Sequence, residues 1–183
     1  MNVKGILALL TLGAAIVSSG ATGRTSTAAG LTECRAARVH YTPYPGGAAG
    51  LGRIPWVRAE SSGLRLVGLL WYWPGQWRDQ GIDRALIYPG GQAPEGTPNM
   101  KILWAFLSPK AKRLVSGRLI VQGQRLDGPG RTWQQFAPIG YAGQNGAPSF
   151  ASIIVLPVEG CWRVRLSAGA ARAQIVFQAT KGL

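Results

Sequence analysis

This chain of 183 residues predicts an all-β fold, an antiparallel β-sandwich of about eight strands. Three observations carry that expectation. Its 26 glycines and 12 prolines gather in clusters, short apolar runs separate the clusters, and the two runs nearest the C-terminus alternate apolar with polar residues. Helical periodicity is absent. The best helical candidate, 167–173, is interrupted by Gly169 and flanked by segments that alternate with period two.

The first element in order is an export signal. Lys4 supplies the positive start, residues 6–17 an apolar stretch, and Ser19 and Ala21 the small residues that favour cleavage after Ala21. Residues 1–21 therefore read as a signal peptide helix, 22–33 as a flexible polar leader and 34–183 as a single domain. The apolar stretch is shorter than the roughly 20 residues that span a bilayer. Run 64–73 contains Arg65 and Gly68 and meets Pro74, which suits a buried strand, so no transmembrane span is expected in the mature chain. Glu33 stands where a lipid-anchoring motif before Cys34 would need a small residue. The expected location is secreted or extracytoplasmic, in the cell envelope.

Loop clusters fall at 42–55, 74–81, 89–99, 127–130 and 140–149. Between them lie candidate strands at 64–73, 84–88, 100–107, 114–122, 131–136, 150–156, 161–167 and 172–179. The first of these is apolar on both faces, as a central strand covered on both sides would be. The last two fix a register. Trp162, Val164 and Leu166 share one face, opposite Cys161, Arg163 and Arg165; Ala173, Ile175, Phe177 and Ala179 face inward against Arg172, Gln174 and Gln178. Gly169 permits a positive φ in the hairpin turn between them.

Cys34 and Cys161 are the only two cysteines. Behind an export signal they are expected to form a disulfide. The loop it closes exceeds a hundred residues, worth about 5 kcal/mol in the chain-entropy account.

Pro157, Gly160, Cys161 and Trp162, followed by the strand residues Val164 and Leu166 and by Ile175, Val176 and Phe177, resemble the closing strands of immunoglobulin-like domains in secreted bacterial proteins. Such domains often carry a Pro-x-x-Gly-aromatic corner before the penultimate strand. The resemblance covers about the last 35 residues and implies an immunoglobulin-like sandwich. In antibody domains the strand cysteine points into the core. Here the alternation places Trp162 inward and Cys161 on the arginine face, so a peripheral staple to the N-terminal segment is expected. The resemblance implies no activity, because the sandwich hosts binding, structural and enzymatic roles.

The catalytic inventory is thin. His40 is the single histidine, and no nucleophile-elbow motif accompanies it. One His and two distant Cys lack zinc-ligand spacing. Asp79 and Asp83 are the only closely spaced carboxylates, and Arg78 and Arg84 flank them. The turn around Gly128 and Gly130 lacks the context of a phosphate-binding loop. The expectation is a protein that is not an enzyme, with no catalytic residues, metal or cofactor; an unrecognised secreted hydrolase using His40 is an alternative.

A formal charge of +13 favours contact with anionic surfaces. Fifteen of the basic residues are arginine, whose fork suits phosphate and carboxylate. Two readings of that excess stand side by side: a functional one, and a mutational one in which GC-rich codons raise Arg, Ala, Gly and Pro together. No nucleic-acid motif accompanies the charge. Arg163 and Arg165 form a compact pair on one strand face, a candidate contact for an anionic wall polymer, lipid surface or glycan. Seven tryptophans suggest a second possibility, a carbohydrate-binding module. Trp73 and Trp77 sit where run 64–73 gives way to the Pro74 turn, with Trp77 expected on a loop at the rim. Tyr44 and Trp56, with Tyr41, border the longest Gly/Pro loop as an opposite rim. Core packing competes for the same aromatics, since Trp71 and Trp73 share one strand face, as do Ile102, Trp104 and Phe106.

Overall fold

The computed structural model describes residues 33–47, 53–140 and 146–182. The expected export signal and nearly all of the expected leader lie outside the described residues. Eleven strands and two short helices follow: β1 (Val39–His40), β2 (Trp56–Ala59), β3 (Leu66–Trp71), α1 (Gly75–Asp79), β4 (Leu86–Ile87), β5 (Lys101–Phe106), α2 (Ala111–Leu114), β6 (Leu119–Arg125), β7 (Arg131–Phe136), β8 (Pro138–Gly140), β9 (Ser149–Ser152), β10 (Gly160–Ala168) and β11 (Ala171–Ala179). The fold is all-β. The strands make a six-stranded sheet ordered β1-β2-β3-β5-β9-β8 and a five-stranded sheet ordered β4-β11-β10-β6-β7. Pairing is antiparallel except between β4 and β11.

The strand count exceeds the expected eight because β1, β2 and β8 are short pieces whose two to four residues carry too little alternation to stand out. The expected strand 114–122 begins only at Leu119, since α2 and the left-handed Gly117 (φ 67°) occupy the approach to it. Strand β3 stops at Trp71, where Tyr72 adopts φ 63° and Pro74 follows. Trp71 is therefore 36% exposed, not a core neighbour of Trp73.

One apolar cluster draws side chains from both sheets: Leu66, Ile102, Trp104 and Phe150 from the larger, Val121, Trp162, Val164 and Phe177 from the smaller. The Trp104 indole, fully buried, donates to Ser152 Oγ at 2.9 Å, so its polar edge is satisfied inside the core. Strand β3 is covered on both faces. Leu66 and Leu70 join the central cluster, while Val67 and Leu69 pack beneath Tyr44 on the other side. The β10–β11 hairpin has the expected register, with Trp162 opposite Phe177 and Val164 opposite Ile175 on the buried face. Its two-residue turn has Gly169 at φ 57°, the position and sign that a type II′ turn requires.

The two sheets are joined where β2 ends. Glu60 and Gln174 exchange both backbone hydrogen bonds at 2.8 Å, so β2 runs on into contact with β11. The outer surfaces of the sheets thus meet around that corner.

Candidate functional site

The outward face of the smaller sheet is built by alternation. On β10, burying Trp162, Val164 and Leu166 leaves Arg163, Arg165 and Ser167 outside. Register then sets rows across the strands. Gln174, Arg165, Gln122 and Trp133 form one row over β11, β10, β6 and β7; Val176, Arg163, Gln124 and Arg131 form the next. Side chains directly opposite in such rows stand about 5 Å apart, close enough to act on one ligand. Trp133 is 57% exposed, an indole held on an edge strand with its face available to solvent.

Three clefts follow this surface. The largest, 640 Å³, lies between Arg165 and Arg172 on one side and Glu60 on the other. A second of 460 Å³ is lined by Arg131, Arg163, Arg165 and Trp133. The third, 280 Å³, is lined by Arg35, Arg38, Arg58 and His40. The first shares Gln122 and Arg165 with the second, and Glu60 and Gln174 with the third. Together they carry seven arginines and one carboxylate, Glu60, whose Oε2 accepts from Gln174 Nε2 at 2.9 Å. Arg172 donates from Nη1 to the carbonyls of Gly169 and Ala171, which fixes its guanidinium beside the hairpin turn.

Cys161 lies on this outer side, opposite Gln178. Its sulfur stands 2.12 Å from that of Cys34, with Cα atoms 5.3 Å apart, so the pair is at disulfide distance across 127 residues of sequence. The segment that Cys34 anchors runs beside β11, where the Ala37 N–H donates to Val176 O at 2.8 Å. Nearby, Asp127 accepts from Arg125 Nε at 2.7 Å and from the Cys161 N–H at 3.0 Å. Burial pushes the Asp127 carboxyl up, but those donors outweigh it and hold the pKa below the usual value.

The aromatic rims expected from sequence dissolve into packing. Trp77 is 1% exposed, not a rim residue. Pro74 and Gly81 bracket α1, and Gly81 (φ 71°) closes it in a Schellman turn, with the Ile82 N–H bonded to Trp77 O and the Gly81 N–H to Arg78 O. That turn drives the indole into a satellite cluster with Leu86 and Tyr88. Trp73 packs edge-on against Trp77 at 4.9 Å and donates to Tyr41 Oη at 3.1 Å, while Tyr41 donates to Ile82 O. Tyr44 is buried over β3, and burial alone pushes its pKa up to about 12. Trp56 stacks on His40, ring centroids 4.1 Å apart, and donates to Thr42 O. Trp77 and Tyr44 are thus buried, while Trp73 and Trp56 are half-buried and each engaged by a neighbouring ring.

His40 is a poor general base in this setting. Burial first, then Arg38 and Arg58, lower its pKa, and its ring is occupied by Trp56. Asp83 pairs with Arg38 at 3.5 Å, not with the flanking Arg84. Among the described residues, no three His, Cys, Asp or Glu side chains gather as metal ligands, and no helix is long and apolar enough to cross a membrane.

Of the residues singled out from sequence, Arg163 and Arg165 come together on the cleft-bearing face. Trp133 and Arg131 were missed. Their signal was legible, since strand 131–136 alternates Arg131, Trp133 and Gln135 against Thr132, Gln134 and Phe136. Comparison with protein-family models, with curated proteins and with solved structures gives no match. The site is therefore interpreted through its own chemistry.

Proposed function

We propose that this chain is an exported, non-enzymatic module that binds an anionic component of the cell envelope through the outer face of β11, β10, β6 and β7. The carrying observation is the row chemistry of that face: Arg163, Arg165 and Arg131 beside an exposed Trp133, with clefts between them. Arginine forks recognise carboxylate and phosphate oxygens with geometric as well as electrostatic preference. The glutamines between them add neutral donors and acceptors suited to hydroxyl groups. Export into an oxidising compartment is supported by the cysteine pair at disulfide distance, and the closing strands resemble those of immunoglobulin-like modules that serve as binding scaffolds.

The carbohydrate reading moves to this same face, because Trp133 supplies the flat exposed ring that Trp77 does not. The test is sedimentation with isolated cell envelopes across a salt series, comparing wild type with the Arg163→Gln/Arg165→Gln variant. Retention of the wild type should fall steeply with ionic strength, and the variant should pellet poorly at every salt concentration. Salt-insensitive retention, or a variant that pellets as the wild type does, refutes the proposal.

A further inference from the structure

The three clefts are neighbours on one side of the protein. Glu60 and Gln174 line both the first and third, Gln122 and Arg165 both the first and second, so shared residues place the clefts next to one another from His40 and Arg58 to Trp133. The backbone bridge at Glu60 and Gln174 sets β2 beside β11. Strands β2, β11, β10, β6 and β7 then stand side by side, four spacings of about 4.8 Å or about 19 Å across. Over that width the arginines recur: Arg58 and Arg35 at one end, Arg172, Arg165 and Arg163 in the middle on β11 and β10, and Arg131 on β7 at the other.

We infer that the ligand is a linear acidic glycan lying across the strands, its repeated carboxylates met by arginines along the whole row of clefts and one sugar ring stacked on Trp133. This rests on the anionic-binding reading above and deepens it. Repetition is the argument for a polymer. A small anion would need one converging pocket, whereas these guanidiniums are distributed along a trough with a single carboxylate, Glu60, on its wall. The glycan is favoured over other polyanions by what lies between the charges. Gln122 and Gln174 flank Arg165 in the row that ends on Trp133, a neutral hydrogen-bonding stretch matched to hydroxyls, and one aromatic platform stands at the end. Nucleic acid single strands are bound by repeated aromatics that stack successive bases, which this face does not present among its described residues.

The experiment is calorimetric titration with size-defined oligogalacturonates, from dimer to octamer, against wild type, Arg163→Gln/Arg165→Gln, Arg35→Gln/Arg58→Gln and Trp133→Ala. All the altered side chains are solvent-facing, and melting temperatures verify that each variant is folded. Wild-type affinity should climb with chain length and then level off. Removing Arg35 and Arg58 should weaken the octamer by about tenfold, flatten its salt slope by about one to two, and leave the dimer unchanged. Removing Trp133 should weaken all lengths. If affinity does not depend on length, or the Arg35/Arg58 variant binds the octamer as wild type does, the extended track is overturned, while loss in the Arg163/Arg165 variant keeps the anionic-binding reading alive. If that variant also binds normally, both fall. A single-stranded oligodeoxynucleotide or a neutral glucan of equal length that binds as tightly as the octamer overturns the acidic-glycan assignment.

Discussion

Opening the link between Cys34 and Cys161, whose sulfurs lie at disulfide distance, should change stability by a large and calculable amount. The two residues are separated by 127 positions. Closing a loop of that length lowers the entropy of the unfolded chain by an amount worth about 5 kcal/mol at room temperature. In a domain of this size each kcal/mol moves the melting temperature by about 2–4 °C, so the loss should be about 10–20 °C. The Cys34→Ala/Cys161→Ala variant is the cleaner perturbation, because Cys161 is buried and a serine there would bury a hydroxyl. Reduced wild type should melt close to the variant, since both lack the same crosslink. Calorimetry with and without reductant reads the difference, and thiol titration of the unreduced, denatured protein should find no free sulfhydryl. A variant melting within about 2 °C of the oxidised wild type would refute the reasoning, because the loop-entropy magnitude follows from sequence separation alone.

Gly169→Ala should destabilise the protein by about 1–2 kcal/mol for the left-handed backbone and by more for crowding, since a new Cβ would lie 2.5 Å from Ser116 Oγ and 2.7 Å from Leu114 O. Gly63→Ala is the control, with a similar φ of 73° and nothing within 4 Å; equal melting temperatures for the two variants would remove the crowding argument. Acidification should weaken the fold in two stages. His40 has a lowered folded pKa, so the unfolded chain takes up that proton first and stability declines as pH falls below about 6.5. Asp127 also has a lowered folded pKa, and its contribution, full above about pH 4, disappears as pH falls through the folded value. Melting temperature followed against pH should lose its first decline in His40→Gln; a variant curve parallel to wild type throughout would show that His40 is not its source.

What the sequence revealed, and what it concealed, divides by element length. The β10–β11 hairpin was readable to within one residue at each strand end because nine positions on each strand alternate and Gly169 marks the turn. Strand β3 announced its double coverage through a run apolar on both faces, and Tyr44 turns out to be part of the cover. Helix α1 was missed because its Pro74 and Gly81 are also loop residues. Their spacing, one short helix with a Schellman close, is the same composition read with a different φ at one glycine. That misreading moved Trp77 from the interior to an imagined rim. The candidate face was half visible. Arg163 and Arg165 were placed by alternation, but their meeting with Trp133 depends on pairing of β6 with both β10 and β7, a non-local register that no single segment encodes.

Placement also bears on the two readings of the arginine excess. Codon bias raises the number of arginines without regard to which face of a strand they occupy, whereas binding requires that they be sorted. Some arginines here are engaged in the fold itself: Arg125 pairs with Asp127 at the strand corner, and the Arg78 guanidinium lies over the Tyr41 ring at 5.5 Å. Of those lining the clefts, Arg38 pairs with Asp83 and Arg172 with backbone carbonyls, but others differ. Among the described residues only two ion pairs fall within 4 Å, and Arg163, Arg165, Arg131 and Arg58 take part in neither. Like charges on neighbouring strand positions repel one another and weaken the unliganded sheet. A chain under compositional pressure alone could relieve that repulsion by moving any one of its seven carboxylates into the rows, yet Asp127 and Asp83 sit with Arg125 and Arg38, and Glu60 is held by Gln174. The uncompensated rows are where the proposed anionic ligand would supply the missing charge when it binds.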